Sequence, residues 1–174
     1  MFERLLFRTT PIEPALFLAP MAGLTHSAFR RLLGDFGGHG AVFTEMVSAS
    51  AFLHEDADRS PFTKRRASEG PVIIQFRLSV DDPVEAAVEK AASLAPLALD
   101  LNLGCPAPEI QQRASGAALW RDLQALTQVL RRIRTVYDGP LSVKVRLGDP
   151  AEDWQGAFIE RLRCVEAAGV DVLT

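Results

Sequence analysis

The stretch Ala98-Leu99-Asp100-Leu101-Asn102-Leu103-Gly104-Cys105-Pro106 decides the fold. Its first five residues read as a short apolar strand that ends in Asn102. A glycine then turns the chain, and Cys105 stands just beyond, held by Pro106. Reactive groups at the carboxyl end of a strand are how (βα)8 barrels assemble their sites. Reading outward, the same grammar recurs. Leu16–Ala19, Ala41–Thr44, Val72–Phe76, Leu141–Val145 and Val170–Leu173 are further strand candidates. Between them, Val84, Ala87, Val88, Ala91 and Leu94 share one helical face, as do Leu123, Leu126, Val129, Leu130 and Ile133, and then Phe158, Leu162, Val165 and Ala168. Gly37-Gly38, Asp138-Gly139-Pro140 and Ala168-Gly169 mark the turns that close helices before the next strand.

Alternating β and α elements with right-handed crossovers give a parallel sheet, either doubly wound or closed into a barrel. Met21, Glu45, Gln75, Asn102 with Cys105, and Lys144 stand at or just past the ends of several different strands, which favours the barrel. A doubly wound fold concentrates its chemistry at one crevice behind a glycine-rich first turn. The first turn here, Pro20-Met21-Ala22-Gly23, has no such motif. The expected fold is therefore α/β, a TIM (βα)8 barrel truncated after about six strands.

The 174 residues suffice for one substantial core, and 48% hydrophobic with 24% charged residues is the balance of a soluble globular protein. No apolar run reaches the roughly 18–20 residues of a membrane span, so no membrane partner is expected. The segment from Met1 to Pro14 lacks the apolar stretch and cleavage site of a secretory signal. Two cysteines are too few for a disulfide framework, which points to a reducing, cytoplasmic setting. The net charge of −3 lacks the basic footprint of a dedicated nucleic-acid-binding domain. RNA contact would rest on local clusters such as Lys64-Arg65-Arg66 or Arg131-Arg132-Arg134, whose plain alternative is a solvated surface.

Cys105 can donate a proton or attack a substrate if partly exposed; its alternative is a small buried residue in a tight turn. Cys164, on the apolar face of a helix, has only the second reading. Lys144 sits among Val143, Val145 and Leu147, where an ammonium is costly to bury unless it meets an anion or polar ligand. Its alternative is a side chain that reaches solvent past the strand end. Gln75 can hydrogen-bond a planar heterocycle in both senses, and Pro20-Met21-Ala22 can lie flat against one.

Five ordered segments, Leu18 to Thr25 with Phe29-Arg30, Thr44 to Ala49, Gln75, Asp100 to Pro106 with Gly116 to Leu119, and Val143 to Gly148, resemble the tRNA-dihydrouridine synthases. The resemblance runs from about Leu16 to Thr174. It implies that residues 1–174 form a partial FMN-binding TIM-barrel catalytic domain of an oxidoreductase acting on tRNA. Pro20, Met21 and Ala22 would line the isoalloxazine of FMN, with Gln75 and Lys144 at its polar edge and Asn102 helping to position the substrate. Cys105 would be the general acid: NADPH reduces FMN, hydride passes to carbon 6 of uracil, and a protonated thiol delivers its proton to carbon 5. The uridine would have to leave its stack to be reached. No metal is implied, and the full-length enzyme is expected to be monomeric.

Some positions depart from the family pattern. His26 stands where an Asp is common, Phe76-Arg77-Leu78 replaces Leu-x-Gly, and Glu109 to Arg113 lacks a frequent lysine. The resemblance also places the FMN-phosphate loops, a further histidine and a helical tRNA-binding domain beyond residue 174. Two other readings stay open. One is a dihydroorotate or dihydropyrimidine dehydrogenase-like flavin barrel. The other is an inactive fragment that binds FMN poorly and aggregates through open strand edges.

Overall fold

The computed structural model of the chain describes residues 5–148 and 153–174. Residues 1–4 of the amino-terminal segment therefore lie outside the described residues. A short antiparallel hairpin, β1 (Leu5–Phe7) and β2 (Thr10–Ile12), comes first. Six parallel strands follow: β3 (Phe17–Leu18), β4 (Ala41–Ser48), β5 (Val72–Arg77), β6 (Ala98–Asn102), β7 (Leu141–Lys144) and β8 (Val172–Leu173). They pair in chain order, β3-β4-β5-β6-β7-β8, with no reversal. A doubly wound sheet reverses its strand order at the ligand crevice. This sheet instead has the order of a (βα)8 barrel wall, six strands of it, as the sequence leads one to expect.

The helices lie between the strands as crossovers: α1 (Ser27–Phe36), α2 (Ala49–His54), α3 (Val84–Ser93), α4 (Pro108–Gln111), α5 (Ala117–Arg121), α6 (Leu123–Val136) and α7 (Trp154–Ala167). Their stripes fall on the predicted residues. Val84, Ala87, Val88 and Ala91 of α3 are buried, as are Leu126, Val129, Leu130 and Ile133 of α6. They pack with Ile74, Phe76, Leu99, Leu101, Leu141 and Val143 in the larger of two apolar clusters. Side chains on a strand alternate between faces, so these residues point outward to the helices while their neighbours point into the barrel. Asp100, Asn102, Ser142 and Lys144 are those neighbours.

The hairpin is an addition that the sequence reading did not contain. Phe7 and Ile12 are both 1% exposed, and they join Ala41, Phe43, Ile73 and Ala98 in the second cluster, at the amino ends of the strands. Each such side chain contributes about 1.5–3 kcal/mol on burial, so the hairpin closes the base of the sheet. Arg8, at its turn, adopts φ 52° and reaches across to Asp171 beside β8.

Two other differences have local causes. β4 runs to Ser48, beyond the predicted Thr44, because a bulge between Phe43 and Met46 resets its register against β5. His26, out of place in the family pattern, is the N-cap of α1, where its Nδ1 accepts from the Phe29 N–H at 3.4 Å.

Candidate active site

The register of the parallel strands builds the site. Met46 of β4 lies beside Gln75 of β5, Gln75 beside Asp100 of β6, and Asp100 beside Ser142 of β7. One strand repeat further toward the carboxyl ends, Asn102 lies beside Lys144. The lower row is closed to solvent: Gln75 and Ser142 are 0% exposed and Asp100 1%. Its hydrogen bonds are complete. Ser142 Oγ donates to Asp100 Oδ1, and Gln75 Nε2 donates to Asp100 Oδ2 at 2.7 Å. Asn102 Nδ2 donates to Gln75 Oε1 at 3.1 Å. Burial pushes the Asp100 carboxyl up to about 6, against the opposing pull of Ser142, Gln75 and the Lys144 charge.

Above this row opens a cleft of about 290 Å³. Pro20, Ala22 and Met46 form one side, and Asn102, Gly104, Cys105, Pro106, Lys144, Val145 and Arg146 the other. It thus gathers the carboxyl ends of β3, β4, β6 and β7. A larger open groove along α6, lined by residues such as Leu123, Thr127 and Arg131, lacks these converging strand ends.

Cys105 is half-buried at the cleft. Its turn is held from both sides. Asn102 Oδ1 accepts from the Gly104 N–H at 3.3 Å and the Cys105 N–H at 3.0 Å, while the Cys105 carbonyl accepts from the Ala117 N–H at 3.0 Å. Gly116, at φ 61°, leaves the room: a Cβ there would come within 2.8 Å of the Cys105 carbonyl oxygen. Lys144 is half-buried, and among the described residues its ammonium has no hydrogen-bond or ion-pair partner. Such a cation, beside a floor closed by its own hydrogen bonds, suits an electron-rich ligand in the cleft.

The turn after β3 is equally fixed. Met21 donates its N–H to Thr25 Oγ1 and accepts at its carbonyl from the N–H groups of Leu24 and Thr25. The Gly23 N–H donates to Glu45 Oε2 at 2.5 Å, and Glu45 Oε1 is buried with no partner among the described residues. Of the residues singled out in the sequence, Pro20, Ala22, Asn102, Cys105 and Lys144 line the cleft together, with Met21 in the turn behind Pro20. Gln75 does not line it. It braces Asn102 from the floor.

Asp100, Ser142 and Arg146 went unremarked as site residues in the sequence. The signal for Asp100 was there: a lone carboxylate inside an apolar strand must find buried donors. Two arginines of the Arg131-Arg132-Arg134 cluster serve as structural joints. Arg132 pairs with Glu85 and with the carbonyls of Val80 and Asp82, and Arg134 holds the carbonyls of Tyr137 and Gly139. Cys164 lies between α6 and α7, 3.1 Å from Thr127 Oγ1.

The family model for dihydrouridine synthase (Dus) matches residues 17–174. A probable tRNA-dihydrouridine synthase of Rhodobacter capsulatus is 31% identical over 163 residues, covering 93% of this chain and 49% of the relative. The tRNA-dihydrouridine synthase B of Pseudomonas putida is 32% identical over 161 residues, covering 91% and 46%. A probable tRNA-dihydrouridine synthase of Helicobacter pylori is 36% identical over 135 residues, covering 76% and 41%. The chain spans about half the length of the curated relatives it matches. With the barrel wall, the strand-end cleft and a match over nearly the whole chain in agreement, the chain belongs to the dihydrouridine synthase family.

Proposed function

We propose that this chain is the flavin- and substrate-facing part of a tRNA-dihydrouridine synthase, an FMN- and NADPH-dependent oxidoreductase that saturates the 5,6 double bond of uridine in tRNA. The observation that carries the reading is the meeting of Cys105, Asn102 and Lys144 in one cleft whose opposite side is Pro20, Ala22 and Met46. That division, apolar and backbone on one side and polar on the other, fits a planar ring. The Pro20-Met21-Ala22 turn lies along its apolar part and Lys144 faces its polar edge. Gln75, buried beneath the cleft, supports that edge through Asn102, whose Nδ2 donates to its Oε1.

Bound FMN, reduced by NADPH, supplies hydride to carbon 6 of the uracil. The residues of the chain do the rest. Asn102 holds the pyrimidine and the turn beneath it. The Cys105 thiol transfers its proton to carbon 5, and the resulting thiolate is reprotonated from solvent. Lys144 offsets negative charge at the ring edge. The tRNA enters with its uridine unstacked.

The test separates hydride from proton. In the holoenzyme, Cys105→Ala is expected to leave flavin reduction by NADPH unchanged and to slow tRNA-dependent reoxidation of the flavin by roughly 10²–10⁴-fold. Equal reoxidation rates in wild type and variant remove Cys105 from the acid role. Turnover of free pyrimidines in place of undermodified tRNA makes the protein a dihydropyrimidine-type dehydrogenase.

A further inference from the structure

We propose that Asp100 is a positioning residue for the Cys105 turn, because its carboxylate sets the direction of every amide between itself and the Cys105 N–H. This rests on the reading of Cys105 as proton donor, which gives the turn its importance.

The chain of contacts crosses β5 and β6. Asp100 Oδ2 accepts from Gln75 Nε2 at 2.7 Å, which leaves Gln75 Oε1 toward Asn102. Asn102 Nδ2 donates to that oxygen at 3.1 Å, which leaves Asn102 Oδ1 to accept from the N–H groups of Gly104 and Cys105. Each side-chain amide has one donating and one accepting end, so reversing one reverses both. The far end tolerates one sense only: a reversed Asn102 would press its NH2 group against two backbone N–H groups. An ionised carboxylate accepts and never donates, so Asp100 selects that sense at the near end. Ser142 follows, since a hydroxyl can donate to whichever oxygen remains. With Gln75 wholly buried and Asn102 7% exposed, little water is available to mend a reversed link.

An exchange of groups tests this. Asp100→Asn keeps shape and the Ser142 contact but loses the fixed direction. Gln75→Glu places two carboxylates side by side. The two together move the acceptor-only group one step along, where it again accepts from Asn102 on one oxygen and from the new amide on the other. Any flavin contact of Gln75 is lost equally in the single Gln75→Glu and in the double, so that comparison isolates the relay.

Two readouts are needed: iodoacetamide alkylation of Cys105 resolved by peptide mass spectrometry, which requires no cofactor, and tRNA-dependent flavin reoxidation in the holoenzyme. Each single variant is expected to raise Cys105 alkylation several-fold. Asp100→Asn should slow reoxidation about tenfold while NADPH still reduces the flavin at its usual rate. The double variant should alkylate more slowly, and reoxidise faster, than Gln75→Glu alone. Should Asp100→Asn fail to fold, this last comparison still decides. Unchanged Cys105 alkylation in the singles, or a double no better than Gln75→Glu alone, overturns the proposal. If Cys105→Ala reduces tRNA as fast as wild type, the acid reading fails instead, and the alkylation series still judges the relay.

Discussion

Asp100 carries a thermodynamic signature of its burial. Its carboxyl titrates near pH 6 in the fold, against an ordinary value of 3.8. Between those values the folded chain holds more protons than the unfolded one, so this group's contribution to stability falls as pH rises through the window. Above about 6 it is ionised in both states and the penalty is constant. Glu85, held down at about 2 by Arg132, works in the opposite sense at lower pH, so the effect is to be read as a difference. Urea unfolding at pH 4.5 and 7.5 should show Asp100→Asn gaining relative to wild type at the higher pH, by on the order of 3 kcal/mol at most. An unchanged difference between the two pH values would mean that the carboxyl is not buried as described. Cys105, Lys144 and Asn102 could be found in the sequence because reactive types at strand ends are few. The pairing within the floor could not. Whether Asp100 meets Gln75 and Ser142 depends on register between strands, and a period-two pattern gives a face without giving a partner.

Among the elements, α1 is attached by a device of unusual completeness. Arg30 is wholly buried: its Nε donates to Glu69 Oε2 at 2.8 Å, and its other nitrogens serve the carbonyls of Thr25, Phe62 and Lys64. Glu69 in turn accepts from Ser27 Oγ and the Arg66 N–H. Gly34 lets the helix settle here, since a Cβ there would lie 1.8 Å from the Ser68 carbonyl oxygen. Arg30→Ala leaves a buried carboxylate and three carbonyls without their donor, and should cost about 3–5 kcal/mol in urea unfolding. Arg132→Ala, at a half-exposed pair with Glu85, should cost about 1 kcal/mol or less for the ion pair itself. Equal losses would refute the distinction. Phe29-Arg30 was legible as part of a motif, yet its role was not. A buried arginine is indistinguishable in sequence from a solvated one until the carbonyls that surround it are assembled. The long strands and helices were legible through period; the hairpin was not, being three residues on either side of a turn.

At the scale of the molecule, Asp171 is a junction. Its Oδ1 accepts from Arg8 Nε at 2.7 Å, and its Oδ2 from the Leu141 N–H at 2.8 Å and Arg134 at 3.4 Å. These donors hold its carboxyl below the usual range despite partial burial. It ties the hairpin, the end of α6 and the start of β7 to the segment entering β8. Asp171→Ala should therefore lower stability more than Arg8→Ala, by about 1–3 kcal/mol against about 1 kcal/mol, because only the first leaves a backbone donor unpaired. Hydrogen exchange at the Leu141 amide should accelerate in the first variant alone.

The bond from Arg8 to Asp171 joins residues 163 positions apart. A ribosome delivers the hairpin before its anchor, by roughly ten seconds at ordinary synthesis rates. For that interval Phe7 and Ile12 have the first strands to lean on but no tether on the far side. The base of the sheet is thus begun by the hairpin and tethered only once Asp171 has been made, a contact between segments far apart in the chain.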